Sequence, residues 1–151
     1  MTTYNTGSLK SKYALTIKYQ DEAGNTMFPT ITKNYAPGTI YSIANPQREG
    51  YTSAPAVNGV VGTPHQQVIV IYAPKYYKLT VKYMDDDAET PAAVHTPTVS
   101  MVAYGTSYTV NPLDVDGYTT ADTAKTGTMP DEDVTLTFTY SEVEADTEPT
   151  S

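Results

Sequence analysis

Two tandem, mainly β modules are what this sequence predicts, on three observations. The stretch Tyr77-Lys78-Leu79-Thr80-Val81-Lys82-Tyr83 repeats an earlier one, Tyr13-Ala14-Leu15-Thr16-Ile17-Lys18-Tyr19. In both copies Tyr, Leu, a β-branched residue and Tyr alternate with Lys, Thr or Ala, and a side-chain period of two gives a strand one apolar and one polar face. Eleven Pro and nine Gly are scattered through the chain and punctuate short strands rather than helices.

The first strand, from Tyr13, ends in the turn Asp21-Glu22-Ala23-Gly24-Asn25, and a second extended segment runs from Met27 to about Tyr35. Ala36-Pro37-Gly38-Thr39 fits a type II turn, in which Pro presets the first central φ and Gly supplies the positive φ at the second. Ile40 to Ala44 reads as a short strand or one helical turn, interrupted by Asn45-Pro46; Gly50-Tyr51-Thr52 starts another segment, and Val68 to Tyr72 closes the module. The same order returns in Tyr104-Gly105-Thr106, Asn111-Pro112, Gly117-Tyr118-Thr119 and the closing strand Val134 to Tyr140, with a three-residue insertion placed between Glu89 and Pro97.

The resulting division is a linker at 1–12, a module at 13–73, a second at 77–140 and an acidic disordered tail at 141–151. Each module is expected as a small mixed sheet crossed by a short helix or irregular segment. Its first and last strands, which carry the strongest apolar alternation, belong side by side in the centre. Modules of this size bury little surface and should be marginal, at about 3–5 kcal/mol each. Ile69 and Ile71 stand where the second copy has Thr, so the outer face of the first module is expected to be covered, by residues 1–12 or by its neighbour.

Charge excludes some partners. The net charge is −8 and the pI near 4.5, which argues against nucleic acid and anionic membranes. Its distribution is uneven: residues 13–76 carry Lys18, Lys33, Arg48 and Lys75 against Asp21, Glu22 and Glu49, whereas 77–140 carry three Lys against ten acids. No apolar run approaches the roughly 20 residues that span a bilayer. Cysteine is absent, which excludes disulfides and thiol chemistry. The first residues lack a signal peptide's basic and apolar regions, so the chain reads as a recombinant fragment of a longer protein with Met1 added.

No catalytic constellation is present. There is no nucleophile elbow, phosphate loop or zinc-binding His pair, and two small modules offer no cleft for paired carboxylates; an enzyme is not expected, nor any cofactor. His65 and His95 fall at non-equivalent, loop-like places and read as ordinary exposed histidines; no metal site is assigned. Asp85-Asp86-Asp87 and Asp131-Glu132-Asp133 lack the Gly and bidentate Glu of strong Ca²⁺ loops and read as solvated hairpin acids, with a weak cation site as the alternative. Tyr51 and Tyr118 follow matched glycines and are expected to pack corners. Tyr35, Tyr76 and Tyr104 have no tyrosine at the equivalent position, which frees them for exposure and makes them the ligand-binding candidates, against the alternative of incidental exposed rings.

From Tyr77 through Asp85, and again at Tyr104-Gly105-Thr106-Ser107-Tyr108, Gly117-Tyr118-Thr119 and Gly127 to Leu136, the second module resembles a MucBP (mucin-binding protein) repeat. The first resembles a diverged copy, with Pro64-His65-Gln66-Gln67 in place of an acidic Pro-Asp-Glu-Asp turn. The resemblance implies an α+β, β-grasp-like topology and a setting in large, cell-wall-anchored adhesins of Gram-positive bacteria. It implies host mucin glycoproteins as partners, bound by tyrosine rings on apolar sugar faces and by Thr, Asn and Asp hydrogen bonds, weakly per module and more strongly in tandem. A structural stalk, or a protein-binding module that takes immunoglobulin, fits the same sequence.

The linker from Tyr72 to Tyr77 is short and stiffened by Pro74, which predicts an end-to-end, monomeric pair. Small-angle scattering should give a radius of gyration well above the roughly 15 Å of a compact domain of this length. A globular profile would remove the rod.

Overall fold

The computed structural model describes residues 11–52, 54–87 and 89–144. The expected linker therefore lies, apart from residues 11 and 12, outside the described residues, as does the tail beyond residue 144. The chain divides between Ala73 and Pro74 into two compact units.

The first unit contains β1 (Tyr13–Asp21), β2 (Thr26–Tyr35), β3 (Ile40–Ile43), β4 (Tyr51–Thr52), β5 (Val57–Val60) and β6 (His65–Pro74). The second repeats the series as β7 (Tyr76–Asp85), β8 (Ala93–Ala103), β9 (Ser107–Val110), β10 (Tyr118–Thr119), β11 (Lys125–Thr128) and β12 (Val134–Glu142), the last carrying on into the first two residues of the expected tail. One unit holds a four-stranded sheet in the order β2-β1-β6-β4 and the other its counterpart, β8-β7-β12-β10. Each adds a two-stranded ribbon, β3-β5 or β9-β11.

The first and last strands of each unit are adjacent and parallel, with Ile17 opposite Val68 and Val81 opposite Leu136. Parallel strands need a crossover connection, and here β2, the ribbon and the short fourth strand supply it. No helix occurs among the described residues. Where the sequence left a helical turn open at Ile40–Ala44, β-branched and aromatic residues set a strand instead, and that strand pairs with β5.

The alternation does what its period predicts. In the first unit Leu15, Ile17, Tyr19, Val70 and Tyr72 point inward and form one core with Tyr41 and Val61. Val81, Tyr83, Phe138 and Tyr140 are the matching cluster of the second. The rings of Tyr19, Phe28 and Tyr72 meet edge-on or tilted, at centroid distances of 5.5–6.3 Å. Hydroxyls at these positions need partners. Tyr72 donates to the Pro46 carbonyl at 2.7 Å and Tyr140 to that of Leu113 at 2.8 Å. By this bond Leu113, rather than Pro112, stands where Pro46 does. Tyr83 shares a bond with Thr98 Oγ1 at 3.1 Å, but Ile31 occupies the equivalent register position opposite β1, and the buried Tyr19 hydroxyl is left without a partner. Burial pushes the Tyr19 and Tyr140 hydroxyls above their ordinary pKa of 10.0.

Both sheets are bulged at matched places, between Ile17 and Tyr19 and between Val81 and Tyr83. The extra residues opposite are in the segments of Pro29 and Pro97, and an edge strand accommodates proline at such a bulge. The insertion in the second copy falls a little earlier than expected. Gln20 pairs with Thr26, but Met84 pairs with Ala93, so the turn between β7 and β8 holds the extra residues. On the other side, β12 is sealed by side chains: Thr120 Oγ1 donates to the Thr139 carbonyl at 2.6 Å, and Asp122 accepts from the Thr139 N–H at 2.8 Å.

Ile69 and Ile71 are each 47% exposed, and the cover expected from residues 1–10 lies outside the described residues. The two isoleucines are opposite Lys18 and Gln20, whose long aliphatic stems suit a half-wet apolar face. Neither histidine is in a loop: His65 opens β6, and His95 is on β8, its ring edge-on to Tyr83 at 5.4 Å, because the register places it where the first unit has Phe28.

Gly38 and Gly105 adopt positive φ, 81° and 77°, as the turn requires. Two other glycines answer a different need. Gly59 and Gly127 are opposite Tyr41 and Tyr108 in the ribbons, and each tyrosine ring lies over its glycine. A Cβ on Gly127 would come within 2.5 Å of the Tyr108 hydroxyl oxygen and 2.7 Å of its Cζ. Gly127→Ala should therefore cost about 1–3 kcal/mol in urea denaturation, and less in a Tyr108→Ala background. Equal costs in the two backgrounds would show that the ring is not the obstacle.

Candidate functional site

The three tyrosines singled out by sequence fall at equivalent ends of the two sheets, where β1 and β7 begin. Tyr35 ends β2 directly opposite Tyr13 and is half-buried. Tyr76 opens β7 opposite Ala103 and is 60% exposed. Tyr104 follows β8, half-buried, with its backbone N–H donating to the Lys75 carbonyl at 2.8 Å. The fold thus brings Tyr76 and Tyr104 to the same end of one sheet, while Tyr35 belongs to the other unit with different neighbours. There a shallow depression of about 470 Å³ is lined by Ser11, Tyr13, Ala36 and Pro37. Pro37 occupies the place that Tyr104 has in the second unit, since each precedes the positive-φ glycine of its turn.

The acidic turn does structural work that the sequence reading missed. Tyr77 donates its hydroxyl to Asp131, and Asp133 accepts the backbone N–H of Lys78 at 2.7 Å. Lys75 Nζ lies 4.0 Å from the Asp131 carboxylate. These side chains tie down the start of β7, a task that the Pro64 carbonyl performs for Ala14 at 2.9 Å in the first unit. The other acidic group builds a turn. Asp85 accepts the Ala92 N–H at 2.9 Å, and Asp86 accepts the Ser141 hydroxyl at 2.6 Å. Asp87 takes the Glu89 N–H at 3.0 Å, and this bond and one from Thr90 hold its carboxyl below the usual range. Asp86, Asp87, Glu132 and Asp133 are exposed, as expected of solvated turn acids, and the bonds to the chain add to that reading. Among the described residues no group of three or more His, Asp or Glu is placed to hold a metal ion.

A second feature escaped the sequence reading. The guanidinium carbon of Arg48 lies 5.9 Å from the ring centroids of both Phe28 and Tyr51. Its Nη1 donates to the Met27 carbonyl at 2.8 Å. The corner below it is a turn in which the Tyr51 N–H donates to the Arg48 carbonyl at 3.2 Å and Gly50 has φ 76°. The available signal was that Arg48 is the only arginine in the chain, three residues before a tyrosine already read as a corner.

Two small sheets of the same topology, repeated along one chain, define a tandem β-module repeat. The MucBP domain profile matches residues 14–73 and 78–141, and the chain belongs to the MucBP domain family. It is 31% identical over 158 residues to internalin J of Listeria monocytogenes serotype 4b (strain F2365), a match covering 91% of this chain and 17% of the relative. Internalin J of serovar 1/2a (strain ATCC BAA-679 / EGD-e) is 30% identical over 135 residues, covering 83% of this chain and 16% of that protein. The chain thus spans about a sixth of the length of the curated relatives it matches. Among solved structures the Bacillus anthracis TIE protein superposes with a TM-score of 0.60 at 14% identity, over 88% of this chain and 34% of that one, a likeness of fold.

Proposed function

We propose that the two modules are adhesive repeats that hold mucin-type glycoproteins of a host surface, in a longer protein anchored to a Gram-positive cell wall. The observation that carries this reading is the match of both modules to the MucBP family. The exposed ring of Tyr76 gives it a physical form: an amphipathic ring offers one face to the apolar side of a sugar and keeps its hydroxyl wet. One such contact is weak, and avidity over tandem copies supplies the rest. Among the described residues no helix is long and apolar enough to cross a membrane.

Immobilised mucin should capture the whole chain, and Tyr76→Ala should weaken that capture several-fold with no change in the melting temperature. Undiminished capture of deglycosylated mucin would point to a protein-binding module instead. No binding at millimolar glycan would leave the chain a spacer repeat.

A further inference from the structure

We infer that Arg48, whose guanidinium lies over the rings of Phe28 and Tyr51, is a subsite for the anionic group of an acidic sugar, a carboxylate or a sulfate at a glycan terminus. The inference rests on the adhesive reading and names the ligand chemistry of one of its modules.

Arg48 is exposed, and a planar guanidinium has five N–H donors in a fixed fork. The Met27 carbonyl accepts from Nη1, and no other hydrogen bond or ion pair ties the side chain to a described residue. That isolation matters in a chain of net charge −8, where acids outnumber bases 17 to 9. A lone surface arginine is ordinarily mobile and has no preferred orientation. Here the Met27 carbonyl and two rings at 5.9 Å restrain the side chain, so less side-chain entropy is lost when an oxyanion docks on the remaining donors.

The second module is an internal control on the bland reading that the arginine merely props the corner. Val115 replaces Arg48 there, with the Tyr118 N–H on the Val115 carbonyl at 3.0 Å and Gly117 at φ 80°. His95 replaces Phe28 in the register, and Tyr118 replaces Tyr51. The corner therefore forms without a guanidinium. The cation and its two rings occur only in the module whose charge is nearly balanced, and the other carries a large excess of acids that repels anions.

The test compares sialyllactose, sulfated lactose and lactose against the whole chain by ligand-observed NMR titration. At least one acidic sugar should bind roughly tenfold more tightly than lactose, the effect of a charge-assisted hydrogen bond, and added salt should shrink the difference. Which acidic sugar binds distinguishes carboxylate from sulfate. Arg48→Gln and Arg48→Val, the latter installing the second module's residue, should both reduce acidic-sugar binding to the lactose level. Arg48→Lys should restore only part of it, because the fork is lost. Equal binding of acidic and neutral sugars by the parent chain, or a preference that survives both substitutions, would overturn the subsite and leave the adhesive reading standing. Failure to bind mucin or any of the three sugars would overturn both.

Discussion

Each module depends on one pairing, that of its first strand with its last. β1 meets β6 along eight consecutive register positions, from Ala14 opposite His65 to Asp21 opposite Tyr72. The strands are parallel, so no hairpin can bring them together, and about fifty residues of chain must be placed before the pair closes. That closure entropy is offset by burial concentrated on the two strands: Ile17 and Tyr72 are fully buried, and Tyr19 and Leu15 are nearly so. Edge strand, ribbon and corners are hung on this pair. The Tyr72 and Tyr140 hydroxyls reach from the last strand to the corner carbonyls of Pro46 and Leu113, so the same strand that closes the sheet also positions the loops.

The repetition shows which details the fold requires. Bulges, positive-φ glycines, tyrosines over glycines and the corner hydrogen bonds are present in both copies and belong to the scaffold. What differs is on the surface. Ile40 and Val60 in the first ribbon are answered by Ser107 and Thr128, Ile69 and Ile71 by Thr137 and Thr139, and Arg48 by Val115. The acidic turn at Asp131 has no counterpart carboxylate in the first copy. One scaffold therefore carries two chemically distinct surfaces, the first apolar and weakly basic, the second hydroxyl-rich and acidic.

Local signals were legible in the sequence. Period-two alternation located the strands that form the centre, and Pro-Gly chemistry located the turn at Gly38. The family was readable because its motifs are short, ordered and evenly spaced. The unread features join residues far apart in the chain. Tyr77 and Asp131 are 54 positions apart, and the stack on Arg48 exists only because β2 brings Phe28 beside a corner twenty residues on. Position-by-position matching also slipped where the loops differ in length, as at Pro46 and Leu113, since only the hydroxyl bond reveals which residues are equivalent. Tyr35, Tyr76 and Tyr104 stand where the two copies differ. Arg48, answered by Val115 in the second copy, is the matching difference in charge.

Native-state hydrogen exchange bears most directly on the claim that the parallel pair carries each module. If it does, the slowest amides of the first unit are those of Ile17, Tyr19, Val68 and Val70, and of the second Val81, Tyr83, Leu136 and Phe138, opening only with global unfolding. Ribbon amides at Ser42 and Asn58 should exchange sooner. Protection of the ribbon or of β2 outlasting that of the central strands would contradict the account.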